Sequence, residues 1–117
     1  MHAKVIDFGE IEIAGKRFSR DVVIDGGRIR PRHKGPSKML REQFGHTPLS
    51  GAEKIPWGGS RLIVGTGAEG SLPVAPDVFE EAERRRVEVT VLPTREACRM
   101  LADLKRRKVY AVLHVTY

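Results

Sequence analysis

Three short segments of this sequence carry residues that could form a small polar site. They are Gly65-Thr66-Gly67-Ala68-Glu69-Gly70, Pro93-Thr94 and His114-Val115-Thr116-Tyr117. The first has the G-x-G-x-x-G spacing in which glycines let backbone amides approach a phosphate. Its surroundings depart from a dinucleotide loop. Such a loop opens directly into a helix, whereas Pro73 and Pro76 delay the helix here. An acidic residue should also end the next strand, yet Leu92-Pro93-Thr94 stands there and Glu96 falls inside the following helix. Two readings of the glycines remain: a turn set by backbone geometry, or a cradle for a small anion or polar metabolite.

The other two segments add hydroxyls and one imidazole. Thr94 has the position of a helix cap. His114 ends an apolar stretch, where a hydrogen-bonded structural histidine is common. As a functional residue it is the one proton carrier near these loops. Thr116 could orient it or bind ligand, and Glu69 is the nearest loop carboxylate. The candidate set is therefore His114 for proton transfer, with Gly65, Thr66, Gly67, Pro93, Thr94 and Thr116 for ligand binding.

Other chemistry finds little support. His2, His33, His46 and His114 lack metal-ligand spacing. No paired-carboxylate, Walker or G-x-S-x-G pattern occurs, so no metal or cofactor is expected. Cys98 follows Ala97 on an apolar helix face and reads as a packing thiol. As the single cysteine it can form no internal disulfide, and it suits a reducing, cytoplasmic setting.

The elements that must position these segments can be read from periodicity. Val5, Ile6 and Phe8, then Ile11 and Ile13 alternating with Glu10 and Glu12, read as strands. Phe18 and Val22 to Ile24 make a further strand, closed by the hairpin signal Asp25-Gly26-Gly27, with Arg28-Ile29-Arg30 returning. This predicts an N-terminal antiparallel meander. Ser37 is placed to cap a short helix ended by Gly45. Ser50-Gly51-Ala52-Glu53 has capping-box spacing and could start another. Leu62-Ile63-Val64 reads as a buried strand. Pro76 opens a helix over about 76–86. Val87 to Leu92 form a strand, a helix follows over about 95–106, and Val109 to Val115 close the pattern. This βαβαβ half implies parallel strands with right-handed crossovers. Ligands in such sheets bind beyond the carboxyl ends of the strands, where the three segments should meet.

The chain has 117 residues, 40% apolar and 31% charged. That fits a single domain over 1–117, globular rather than disordered. No apolar run reaches the roughly 18 residues of a membrane span, and no signal-peptide pattern opens the chain. The net charge is +6. Arg84 to Arg86 and Lys105 to Lys108 close helical patterns and read as solvated helix ends. Arg28, Arg30, Arg32, His33, Lys34 and Lys38 have no acidic neighbour before Glu42, so this stretch is a candidate binding surface. It lacks interleaved aromatics, which weakens a nucleic-acid reading.

At these same residues the chain resembles a known family. The family is a small domain first described in a methanogen protein of unknown function. It also occurs in a human adipogenesis-associated protein and in a mitochondrial respiratory complex I assembly factor. Phe8-Gly9 and Ile13 to Phe18 resemble its opening hairpins, and Asp21 to Ile24 its third strand. Ile63-Val64-Gly65-Thr66-Gly67 resembles its I-G-T-G signature, Pro93-Thr94-Arg95-Glu96-Ala97 its P-T-x-x-A signature, and His114-Val115-Thr116 its terminal H-x-T. The resemblance implies a three-layer α/β fold with a mixed central sheet and extra β structure on one side. It implies no settled activity, although one branch assists assembly of a respiratory complex. Many relatives carry cysteine after H-x-T, where Tyr117 stands here, which removes thiol chemistry at that position. The middle, about 31–59, lies outside the matched motifs, so His46 and Trp57 receive no role.

The leading expectation is a non-enzymatic binding or assembly-type protein with a polar pocket at the strand ends and a protein partner. The alternative is a small enzyme or sensor for an anionic metabolite using His114. A third is nucleic-acid binding through 28–38. Oligomeric state is left open.

Overall fold

The computed structural model describes all 117 residues. Strands β1 (Ala3–Asp7), β2 (Glu10–Ile13) and β3 (Lys16–Phe18) form an antiparallel sheet in that order. The alternation in β2 sets its two faces: Ile11 and Ile13 are buried, and Glu10 and Glu12, which alternate with them, lie half-buried on the other face. The chain leaves this sheet at Ser19-Arg20-Asp21. Strands β4 (Val22–Asp25) and β5 (Arg28–Pro31) form a hairpin that joins a second sheet.

The second sheet has five strands in the order β5-β4-β8-β6-β7, with β6 at Arg61–Thr66, β7 at Glu88–Leu92 and β8 at Tyr110–His114. Strand β6 is parallel to both β7 and β8, and β4 is antiparallel to β8. Helix α2 (Pro76–Arg85) connects β6 to β7, and α3 (Thr94–Ala102) connects β7 to β8. The βαβαβ half is as the periodicity predicts, and the mixed central sheet is as the resemblance implies.

Two apolar cores flank the five-stranded sheet. Val22, Ile24, Ile63, Ala111 and Leu113 face one side, packing with Ile11 and Ile13 of the small sheet and with Ala97, Cys98 and Leu101 of α3. Val23, Leu62, Val64 and Val112 face the other, packing with Val78 and Ala82 of α2 and with Leu49 and Ile55. Adjacent residues thus serve opposite layers, as strand pleating requires. Each fully buried valine, leucine or isoleucine contributes about 1.5–3 kcal/mol of transfer free energy. The result is three layers, with the small sheet and α3 forming one of the outer two.

Four local expectations are corrected. The N-terminal meander is divided between two sheets, because the break at residues 19–21 falls within the segment from Phe18 to Ile24 read as one strand. Ser37 caps nothing; it lies buried within a 3-10 turn (Gly35–Leu40) that leads into α1 (Arg41–Phe44). Ser50 to Glu53 start no helix, since the Glu53 carboxylate serves a buried arginine. Helix α3 begins at Thr94 and ends at Ala102, with a separate 3-10 turn at Arg106–Lys108.

Candidate functional site

The site begins with strand register. Val22 of β4 pairs with Leu113 of β8, which sets Asp21 beside His114. His114 Nδ1 lies 2.8 Å from Asp21 Oδ2. Asp21 also accepts from the Val115 amide at 3.0 Å and from Arg32 Nη1 at 2.8 Å. Burial alone would push the Asp21 carboxyl up. The hydrogen bond and charge of His114, the Val115 amide and the Arg32 charge together hold it below its ordinary value. An ionised carboxylate only accepts, so His114 Nδ1 carries a proton. In the neutral ring Nε2 is then an acceptor, and Thr116 Oγ1 lies 3.2 Å from it.

Behind Asp21 the network continues inward. Arg32 donates from Nε and Nη2 to the two oxygens of Glu53 at 2.7 and 2.9 Å, and from Nη2 to the Pro48 carbonyl at 3.0 Å. Glu53 also accepts from the Ser37 hydroxyl at 2.6 Å, and Ser37 meets Ser50 at 2.6 Å. Burial works against the charged guanidinium of Arg32, but Glu53 and Asp21 more than offset it and raise its pKa. No buried side-chain polar atom lacks a partner. A chain of polar contacts thus runs Ser50–Ser37–Glu53–Arg32–Asp21–His114–Thr116.

That chain ends in a cavity of about 230 Å³. His114, Thr116, Tyr117, Ser71 and Leu72 line it from the strand ends, and Lys34, Arg41, His46 and Thr47 from the middle segment. No carboxylate side chain is among these residues. Two arginine or lysine cations and two imidazoles therefore share one small concavity.

The three predicted segments do meet, but they divide the work. Thr94 is buried at the start of α3, and its hydroxyl caps nothing. It donates to the His114 carbonyl at 2.6 Å and accepts from the Gly67 amide at 2.8 Å. Thr66 donates to the Leu92 carbonyl at 3.0 Å. The loop amides of Ala68, Glu69 and Ser71 point at main-chain oxygens of Thr116 and Tyr117, at 2.7, 2.8 and 3.2 Å. The protein's own backbone thus occupies the positions a bound phosphate would need. Gly67 (φ +99°) permits this approach: a Cβ there would lie 2.6 Å from the Tyr117 oxygen. A Cβ on Gly65 would lie 2.9 Å from both Leu113 Cδ2 and Thr94 Oγ1. Of the predicted set, His114 and Thr116 line the cavity. Gly65, Thr66, Gly67, Pro93 and Thr94 do not; the polar contacts of Thr66, Gly67 and Thr94 brace the segment that carries the other two.

Comparison with known proteins gives the family and the fold. A family model described as "protein of unknown function (DUF498/DUF598)" matches residues 4–114. The chain belongs to that family. A conserved hypothetical protein from Pyrococcus horikoshii OT3 is 31% identical, with a TM-score of 0.78 over 100% of both chains. The structure titled MT938 is 22% identical, with a TM-score of 0.67 over 99% of this chain and 98% of that one. A Bordetella pertussis protein described as an Mth938-like domain is 22% identical, with a TM-score of 0.57 over 96% and 85%. These two share the fold. No curated protein matches. The DUF498/DUF598 match ends at His114, so Thr116 lies just beyond it.

Sequence reasoning missed Asp21, Glu53, Arg41 and His46 as parts of this assembly. It also grouped Arg32 with a surface stretch. Arg32 is buried in the network, Arg30 donates to the Lys54 carbonyl at 2.7 Å, and Lys34 lines the cavity. The basic stretch is therefore divided among three tasks. The Ser50-x-x-Glu53 spacing was the one available signal for Glu53: the Ser50 amide does approach the Glu53 carboxylate, at 3.4 Å, without a helix.

Proposed function

We propose that this DUF498/DUF598 chain is a binding domain for a small organic anion, received in the His114 cavity. One observation carries the reading: Lys34, Arg41, His46 and His114 line a cavity of about 230 Å³ whose lining side chains include no carboxylate. Convergent cations in a small concavity concentrate anions. The hydroxyls of Thr47, Ser71 and Thr116 add neutral hydrogen-bonding groups. Thr66, Gly67 and Thr94 support the site by fixing the segment rather than by touching ligand. The cation supply from the middle segment replaces the glycine cradle as the basis of anion selectivity. A cytoplasmic setting suits the free thiol of Cys98.

Calorimetry with succinate, citrate and inorganic phosphate, at low and high salt, tests the reading. Binding of at least one anion, lost in the Lys34→Ala/Arg41→Ala double variant, is expected. Both residues are exposed, so the fold should survive the change. Equal binding by the variant would overturn the proposal.

A second reading, docking of a protein partner as in assembly factors, draws support from Phe8 and Tyr117. Their rings pack edge to face at 4.9 Å while remaining 54% and 57% exposed, and Tyr117 lines the cavity. Affinity capture with wild type and Phe8→Ser tests it: a partner lost in the variant supports docking there.

A further inference from the structure

The geometry points to Thr116 as an acyl-accepting nucleophile, activated by His114 and acting on small esters or thioesters that carry a second, anionic group. The inference rests on the anion-binding reading for the charged end of the substrate. Asp21, His114 and Thr116 reproduce the order of an acid–base–nucleophile set: Oδ2 to Nδ1 at 2.8 Å, then Nε2 to Oγ1 at 3.2 Å. The second distance is slightly long, as is usual before substrate is bound.

Each member is held by other groups. Asp21 is fixed by the Val115 amide and by Arg32, itself clamped by Glu53. The His114 main-chain oxygen accepts from Thr94, and that of Thr116 from the Ala68 amide. The Thr116 hydroxyl therefore sits on a pinned segment, and both His114 and Thr116 line the cavity. A threonine serving only to satisfy the imidazole would need neither the cavity nor its cations. Lys34 and Arg41 give those cations two uses: seating the substrate's remote anion and facing the charge that develops on the attacked carbonyl oxygen.

The chemistry balances with water as co-reactant. Thr116 Oγ1 attacks the acyl carbon while its proton passes to His114 Nε2. The carbonyl electron pair moves to oxygen and returns as the bond to the leaving alcohol or thiol breaks, and that group takes the proton from Nε2. Water then gives a proton to Nε2 and attacks the acyl-threonine. Thr116 leaves as its hydroxyl, recovering the proton. The net change is ester plus water to acid plus alcohol.

The test uses the full chain with the mono-4-nitrophenyl ester of terephthalic acid, whose carboxylate cannot reach its own ester carbonyl, and with 4-nitrophenyl benzoate as the neutral comparison. Nitrophenolate release is followed, and the acylated position is mapped by peptide mass spectrometry. We expect the carboxybenzoyl group on Thr116 and faster release from the charged ester. Release should fall about a hundredfold in Thr116→Val and persist in Thr116→Ser. Thermal melts of both variants check folding. Acylation elsewhere with none at Thr116, or equal rates in Thr116→Val, overturns the nucleophile. Succinate calorimetry on the wild-type chain separates the two proposals: saturable binding with no acylation of Thr116 overturns the nucleophile and leaves the anion site standing, whereas absent binding overturns the anion site whichever way the acylation result falls.

Discussion

The Asp21 carboxylate and the His114 imidazole meet at 2.8 Å although 93 positions separate them. The antiparallel pairing of β4 with β8 brings them together, and the pair joins a buried charge network to a surface cavity. That relationship links stability to the site, because the same carboxylate serves both.

Asp21→Asn should flatten the acid limb of the stability profile. The native carboxyl lies below its ordinary value of about 3.9. Its contribution is therefore complete above that ordinary value and is lost as pH falls through the lower, folded one. Urea unfolding of wild type between pH 7 and 2 should show this loss. The variant should be less stable at pH 7 and less sensitive to acid.

Glu53→Gln should be among the most damaging single changes. The side chains of Arg32 and Glu53 are 1% and 4% exposed. Removing one charge of a buried pair costs about 3–5 kcal/mol, because the other is left inadequately paired. Chemical denaturation measures this directly. A cost below about 1 kcal/mol would mean that Arg32 finds equivalent partners elsewhere.

Gly67→Ala should disturb the site more than its size suggests. Its φ of +99° disfavours a side chain, and the added carbon would collide with the Tyr117 main chain. The segment carrying Thr116 must then move. Hydrogen exchange should show faster exchange at Ala68, Glu69 and Ser71, whose amides now bond to Thr116 and Tyr117.

Cys98 should react slowly with thiol reagents in the folded protein. Burial pushes its pKa to about 11, against a small opposing effect of Arg95. The thiolate, which is the reactive form, is then scarce at neutral pH. Dithionitrobenzoate should modify it rapidly only after unfolding.

The βαβαβ half was legible because its signals are local: apolar runs, Pro76 opening α2, and helical spacing in α3. The convergence of three strand-end segments followed from parallel topology. The split of the N-terminal strands was hidden, because Phe18 and Val22 to Ile24 read as one apolar segment across Ser19-Arg20-Asp21, where the chain changes sheets. Thr94 looked like a cap, since capping is a sequence-local pattern, yet its hydroxyl found tertiary partners in Gly67 and His114. Asp21 was invisible as a site residue because its role depends on β4–β8 register. Arg41 and His46 come from an irregular segment with no periodicity to place them.

The most direct test of the anion site is a nitrogen-edited NMR titration with succinate. It would follow the His46 and His114 imidazole nitrogens, together with the backbone amides. Saturable shifts are expected at both rings and at amides near Lys34 and Arg41, absent in the Lys34→Ala/Arg41→Ala variant. Unmoved imidazole signals at millimolar succinate, or shifts centred on another surface, would contradict the anion site.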